Sequence, residues 1–299
     1  MKATREDVVF DTLKVLFLIG LVVVTLYPFI NVLAVSLNEP MDTIRGGITV
    51  WPRQFSIVSY QDALSGQNMV VAARNSVART VVSAIVQTFA TAMVAYTLSR
   101  REYVFRIPIA IIYVITMYID GGLIPTYFLY RSLGMVNSFH VYWLPGLTTA
   151  FNMLIIRTYI RGISDSFIES AKIEGANDFW IFIRIILPLC VPVLATIILF
   201  TSVWQWNYWW DTFIYNSSRV NLTTLQYELM KRLASANAAM SGTSMADAFT
   251  RALDQVGSQV TPKSIRAAMT IIVSLPIIMV YPFLQRYFVH GLTIGGVKG

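Results

Sequence analysis

The chain has 299 residues, 56% of them apolar or aromatic and only 13% charged, with a mean hydropathy of +0.59. A soluble domain carries about 25% charged residues, and 23 basic plus 16 acidic side chains are too few to cover one of this length. Composition therefore excludes a soluble enzyme, a disordered chain and a secreted disulfide scaffold, and makes lipid the main solvent.

In chain order, the windows Val15–Asn38, Thr80–Ser99, Ser132–Ile156, Ile185–Trp210 and Ala267–Gln285 contain no Asp, Glu, Lys or Arg. Each approaches the roughly 20 residues that cross a hydrocarbon core of about 30 Å. A sixth run, Ile107–Tyr130, is interrupted by Asp120 alone and spans if that acid lies near an interface or faces protein. Backbone in lipid must satisfy its own hydrogen bonds, so the expected fold is an all-α, polytopic bundle of six transmembrane helices. Lys2, Arg5 and Lys14 precede the first run in the manner of a signal peptide. A cleaved apolar region is usually about 7–15 residues, shorter than Val15–Val35, so a retained helix is expected.

Basic residues in short loops set the orientation. Arg100, Arg101 and Arg106 crowd one link and Arg157, Arg161, Lys172 and Arg184 another, whereas the opposing link has only Arg131. The expected layout is a cytoplasmic N-terminus (1–14) and a transmembrane domain (15–290), with spans near 15–38, 75–99, 107–130, 136–156, 185–210 and 266–288. A cytoplasmic loop (161–188), an external loop (211–265) and a cytoplasmic tail (291–299) complete it. The connection Glu39–Ala73 is rich in Pro and Gly. In the loop after span five, Leu225–Ala239 and Met245–Val256 have the spacing of short amphipathic helices.

Several chemistries are closed off. Cys190 is the only thiol, and His140 and His290 have no metal-binding spacing around them. No phosphate-binding loop of the G-x-x-x-x-G-K-[ST] type is present, so any ATP would be bound by another chain.

The loop 164–192 concentrates the scarce charge. Ser166 and Glu169 have the S-x-x-E spacing of a capping box, which would start a helix at Phe167. Gly175 suits the position that ends it with a positive φ. Asn177 or Asp178 can cap a second helix, which Pro188 breaks or kinks. Small residues Ser170, Ala171, Gly175 and Ala176 would let another protein approach the backbone, with Glu169 and Glu174 offering charge. A re-entrant or interfacial linker is the alternative reading of these residues.

Glu169, Ala171, Glu174-Gly175-Ala176, Phe182, Ile185, Leu187-Pro188 and Pro192 resemble the E-A-A-x-x-x-G-A-x5-F-x-x-I-x-L-P-x-x-x-P loop of binding-protein-dependent ABC importer permeases. Ser170 stands where that family usually has Ala. The stretches Asp120-Gly-Gly-Leu-Ile-Pro-Thr-Tyr, Leu144-Pro-Gly, Trp206-Asn and the ending from Pro282 extend the likeness to the carbohydrate permeases. Among these the chain is similar to the branch for complex oligo- and polysaccharides, which includes alginate and pectin-fragment importers, and to the smaller, six-helix subunit of maltose-type transporters.

The resemblance implies a permease of the bacterial inner membrane, both termini cytoplasmic, forming half of an alternating-access pathway. Glu169, Ser170, Ala171, Glu174, Gly175 and Ala176 would form a coupling helix docked on a cytoplasmic ABC ATPase. The tail residues Gly295, Gly296 and Lys298 would make a second contact with it. Implied partners are a second homologous permease, two ATPase copies, a periplasmic or lipid-anchored solute-binding protein, the oligosaccharide and membrane lipid, without nucleic acid. No cofactor would be bound by this chain; ATP and Mg would belong to the ATPase.

Sugars offer hydroxyls and an apolar face, so aromatic rings beside planar polar groups are the chemistry to seek. Gln205, Trp206 and Asn207 lie in such a run, Trp204 to Asp211, which an interfacial aromatic belt also explains. Asn75, Arg79, Gln87 and Asn152 are polar groups in or bordering spans, where such groups usually face a bundle interior or a cavity. Arg74 and Arg79 would suit an anionic sugar. Prolines 188, 192, 276 and 282 are candidate bend points, with a role in packing alone as the alternative reading. Two competing readings are a self-contained secondary transporter and an intramembrane aspartyl protease using Asp120 and Asp211.

Overall fold

The computed structural model describes residues 5–66, 68–240 and 260–294, and among these every regular element is helical. In order they are α1 (Arg5–Ser36), α2 (Pro40–Ile44), α3 (Val58–Leu64), α4 (Met69–Ser99), α5 (Arg106–Ile115), α6 (Leu123–Ser132) and α7 (Ala150–Arg161). There follow α8 (Ser166–Ile173), α9 (Asp178–Leu189), α10 (Val191–Asn207), α11 (Trp210–Tyr215), α12 (Leu225–Met240) and α13 (Pro262–Ile294). The expected helix Leu225–Ala239 matches α12, while Met245–Val256 lies outside the described residues.

Three of these helices are long and apolar enough to cross a membrane: Val9–Ser36 within α1, α4, and Pro262–Val280 within α13. The bent pair α9–α10 makes a fourth if counted as one span. Of the six expected spans, two windows are not single continuous helices. The run 107–130 is split: α5 ends at Ile115, and α6 begins at Leu123 after Gly122, whose φ of +81° lies outside helical geometry. The run 136–156 is a 3-10 turn at Phe139–Tyr142 and irregular backbone through Pro145-Gly146 before α7 begins.

The chain divides into two compact units, Met1–Gln67 with Leu229–Pro276, and Asn68–Glu228 with Ile277–Gly299. In the first, the Pro- and Gly-rich connection after α1 is tied down by side chains. Asn38 Nδ2 donates to Asp42 Oδ2 at 3.0 Å and to Thr43 Oγ1 at 3.1 Å, and its Oδ1 accepts from the Gln54 amide. Arg53 Nε donates to Asp42 Oδ2 at 3.0 Å, and Asn31 ties α1 to the carbonyls of Ile48 and Thr49. The Asn38 hydrogen bond and the Arg53 guanidinium hold the Asp42 carboxyl below the usual carboxylate range.

In the second unit α4 is the central rod, packed on α10 and α7. Its buried residues recur at helical spacing and are small or polar: Asn75, Ser76, Arg79, Ser83, Gln87, Thr88, Thr91 and Ala95. Its exposed residues Val77, Val81, Ile85, Phe89 and Met93 are apolar and four apart. That is the reverse of a soluble amphipathic helix. Lipid accepts the apolar face, and small residues let neighbouring helices approach closely. Below this, Met153, Ile156, Ile181, Phe182, Ile186 and Ile197 form the apolar core that seats α8 and α9.

Candidate functional site: a capped helical hairpin and an aromatic cleft

The hairpin α8–α9 is built by its caps. The expected capping box does not form. α8 begins at Ser166 itself, and no side chain caps its N-terminus. Ser164 instead accepts from the Ser166 amide at 3.3 Å and meets its hydroxyl at 2.8 Å. The C-terminal expectation is met. Gly175 has φ +83°, its N–H donates to the Lys172 carbonyl (3.0 Å), and the Ala176 N–H donates to Ala171 (2.9 Å). This pair of bonds is a Schellman motif. A Cβ on Gly175 would meet nothing within 4 Å, so conformation and not space requires glycine there. Asn177 Oδ1 then caps α9 by accepting from the Trp180 amide at 2.8 Å.

α9 passes through a π turn at Phe182–Ile186 and ends at Leu189, and α10 leaves at 82° to it. The bend falls at Cys190, between Pro188 and Pro192. Neither proline has an N–H to continue the ladder, so two of the four candidate bend points mark a real one.

The hairpin's two sides differ. Ile168 and Ala171 are buried in the chain's own core, and Ala176 packs against it. Ala171 therefore faces inward and not toward a docked protein, as the sequence suggested. Glu169, Ser170 and Glu174 are exposed, beside Phe167, Ile173, Phe179 and Trp180. Lys172 reaches Glu102 at 3.3 Å and Asp178 at 3.7 Å, and Arg100 reaches Asp165 at 3.7 Å, so α8 leans at both its ends on the turn after α4 and is tied to the start of α9. Each pair is partly exposed and contributes roughly 0–1 kcal/mol.

At the other end of α4, Arg79 is buried with only 1% of its side chain exposed. Its guanidinium donates to Gln205 Oε1 (2.7 and 3.2 Å), the Tyr208 carbonyl (3.0 Å) and both Asp211 oxygens (2.7 and 3.1 Å). It also lies over the Tyr142 ring at 4.5 Å. Asn75 donates to the carbonyls of Asn221 and Thr223, and Gln87 to that of Trp143.

Gln205 and Asp211 border a cleft of about 410 Å³, whose walls include Tyr130, Tyr142, Trp204, Tyr208 and Asp120. That volume lies within the range of small-ligand sites. Trp204 stacks on Tyr208 at 5.3 Å. Rings beside hydrogen-bonding groups are suited to a ligand with hydroxyls and an apolar face.

Residues 69–294 match the family described as binding-protein-dependent transport system inner membrane component. The chain belongs to that family. It is 32% identical to the polygalacturonan/rhamnogalacturonan transport system permease protein YtcP of Bacillus subtilis, covering 97% of this chain and 98% of that one. It is 24% identical to the arabinooligosaccharides transport system permease protein AraQ of the same organism, over 95% of this chain and 94% of that one. A crystal structure of a bacterial ABC transporter involved in import of the acidic polysaccharide alginate contains a chain with TM-score 0.80 and 26% identity, covering 95% of this chain and 98% of that one. Permeases of this family are transport components of the inner membrane.

In this permease the residues expected on a substrate path fall into different places. Gln205 borders the cleft, but Arg79 and Asn75 are committed to internal bonds and Gln87 holds the backbone at Trp143. Asn207 bonds its own helix at the Val203 carbonyl, and Trp206 and Asn152 are half-buried off the cleft. Arg79 therefore has no donor pair left for an anionic sugar. Gly295, Gly296 and Lys298 lie outside the described residues. The acid pair imagined for a protease fails as well, because Arg79 holds both Asp211 oxygens.

Sequence reasoning missed Tyr130 and Tyr142 on the cleft, and Asp211 as the partner of Arg79. Arg79 and Asp211 are an Arg inside one apolar run and an acid at the end of another, a pairing that charge scarcity could have suggested.

Proposed function

We propose that this permease forms half of the translocation pathway of an ATP-driven importer for oligosaccharides released from plant or algal polysaccharide, such as pectin or alginate fragments. The observation that carries the reading is the Schellman-capped hairpin. It presents Glu169, Ser170, Glu174 and an apolar face of Phe167, Ile173 and Phe179 for docking, anchored on its own core by Ala171. The named substrates of the similar proteins support the saccharide class.

The remaining parts follow as proposals. The hairpin docks on a cytoplasmic ABC ATPase, two copies of which bind ATP and Mg and hydrolyse the nucleotide. A second permease completes the pathway, and a solute-binding protein delivers the sugar to the outer side. Both termini lie in the cytoplasm, and the tail 291–299 also contacts the ATPase. ATP closure and the loaded binding protein each favour one state of the permease pair, by no more than their differential affinities for the two states.

Reconstitution of the four components in proteoliposomes tests this. Uptake of oligogalacturonides or alginate oligomers is expected only with ATP inside or outside on the ATPase face. Uptake that persists without the ATPase would establish a secondary transporter instead.

A further inference from the structure

Of the two acids that border the cleft, Asp120 is the one that the permease's internal bonding leaves available. Its Oδ1 accepts from the Gly122 amide at 3.1 Å, which fixes the Asp120-Gly121-Gly122 turn and leaves Oδ2 for a ligand. Asp120 is exposed and borders the same cleft as Tyr142, Trp204 and Tyr208. Asp211 borders it too, but with both oxygens held by Arg79. Among the described lining residues there is no Lys, Arg or His.

An ionised carboxylate accepts strongly from hydroxyls, and aromatic rings accept the C–H face of a sugar ring. A second carboxylate brought beside Asp120 would meet like charge with no free cation to offset it, because the Arg79 behind the wall is already neutralised by Asp211. We propose that the cleft takes a glycosyl ring through its hydroxyls and C–H face, with Asp120 as the hydroxyl acceptor. The charge of an acidic saccharide is then read outside this cleft. This rests on the reading of the chain as a saccharide permease.

The test uses the assembled importer and two probes of one sugar, trigalacturonate and its fully methyl-esterified, neutral form. Any preference of the binding protein is common to wild type and variant, so it cancels when their KM ratios are compared. Asp120→Asn keeps an acceptor for the Gly122 amide but removes the charge. A charged hydrogen bond exceeds a neutral one by enough to raise KM for the ester about fivefold to tenfold. KM for the acid is expected to rise less, because repulsion is lost at the same time, so the acid-to-ester KM ratio falls.

An unchanged ratio overturns the proposal, whether both KM values stay or rise together. Trp204→Leu is the second arm. Stacking ignores charge, so both KM values should rise by one factor, and no rise in either overturns the cleft. If wild type carries neither probe, the same comparison is made with arabinotriose and trimannuronate. Transport of none of the four refutes the saccharide reading and the cleft together, whereas transport insensitive to both variants refutes the cleft alone.

Discussion

Removing Asp211 should destabilise the permease far more than removing the whole Arg79–Asp211 pair. Arg79 makes five hydrogen bonds, and Asp211→Ala deletes two of them together with the only carboxylate among its partners. With 1% and 9% of the two side chains exposed, water cannot replace the lost partner without disrupting the packing. Breaking one side of such a pair costs about 3–5 kcal/mol. Two charge-assisted bonds at roughly 1.5–3 kcal/mol each give about 3–6 kcal/mol, an overlapping range. At about 2–4 °C per kcal/mol for a large domain, the thermal midpoint should fall by roughly 6–20 °C. Arg79→Met alone should cost a comparable amount, by leaving Asp211 unneutralised. The double variant Arg79→Met with Asp211→Leu removes both charges and should recover most of the loss. The assay is thermal unfolding of purified permease in lipid nanodiscs, followed by tryptophan fluorescence. A double variant whose loss equals the sum of the singles would refute the argument.

Other expectations are narrower. Gly175→Ala meets no steric obstacle but forces an L-residue to φ +83°; a local cost of about 1–2 kcal/mol follows. Transport should drop with insertion intact, and undiminished transport at equal expression would contradict the coupling role. Gly146→Ala places a Cβ 2.9 Å from Gln87 Nε2 and should push that amide off the Trp143 carbonyl, at about 1 kcal/mol. In a Gln87→Ala background the same change should cost less, and equal cost in both backgrounds would rule the contact out. Asp42 has its folded pKa lowered by Asn38 and Arg53, so its contribution is complete above the unfolded value near ~3.9 and fades as pH falls through the lower folded value. Asp42→Asn should remove that acid-side dependence from thermal midpoints measured between pH 3 and 6; an identical pH slope in the variant argues against it.

Much of this was legible in the sequence where a single residue fixes local geometry. Gly175 and Asn177 mark the turn of the hairpin because few other residues serve at a positive φ or as an N-cap. Ser166 is not a cap because α8 already includes it, and its amide and hydroxyl turn back to Ser164. Apolar runs gave the right solvent but not the right breaks. Asp120-Gly-Gly and Pro145-Gly146 interrupt two windows whose hydropathy is continuous, since hydropathy does not register where Gly or Pro breaks a helix. Polar groups inside apolar runs were correctly expected to face inward. What the spacing could not tell was whether they would meet a ligand or each other, and Arg79, Asn75 and Gln87 meet the chain itself.

The Arg79–Asp211 bond also sets a timetable for biogenesis. The two residues are 132 positions apart, so at about 5–20 residues per second the arginine emerges roughly 7–26 s before its counter-ion. An unpaired Arg costs about 2.5–3.5 kcal/mol at the centre of an inserting helix, and somewhat less at Arg79, which lies toward one end of α4. Through that interval α4 enters lipid as a disfavoured segment that only later synthesis can neutralise. Truncation before residue 211 should therefore leave α4 poorly inserted, although every residue of the helix itself is present.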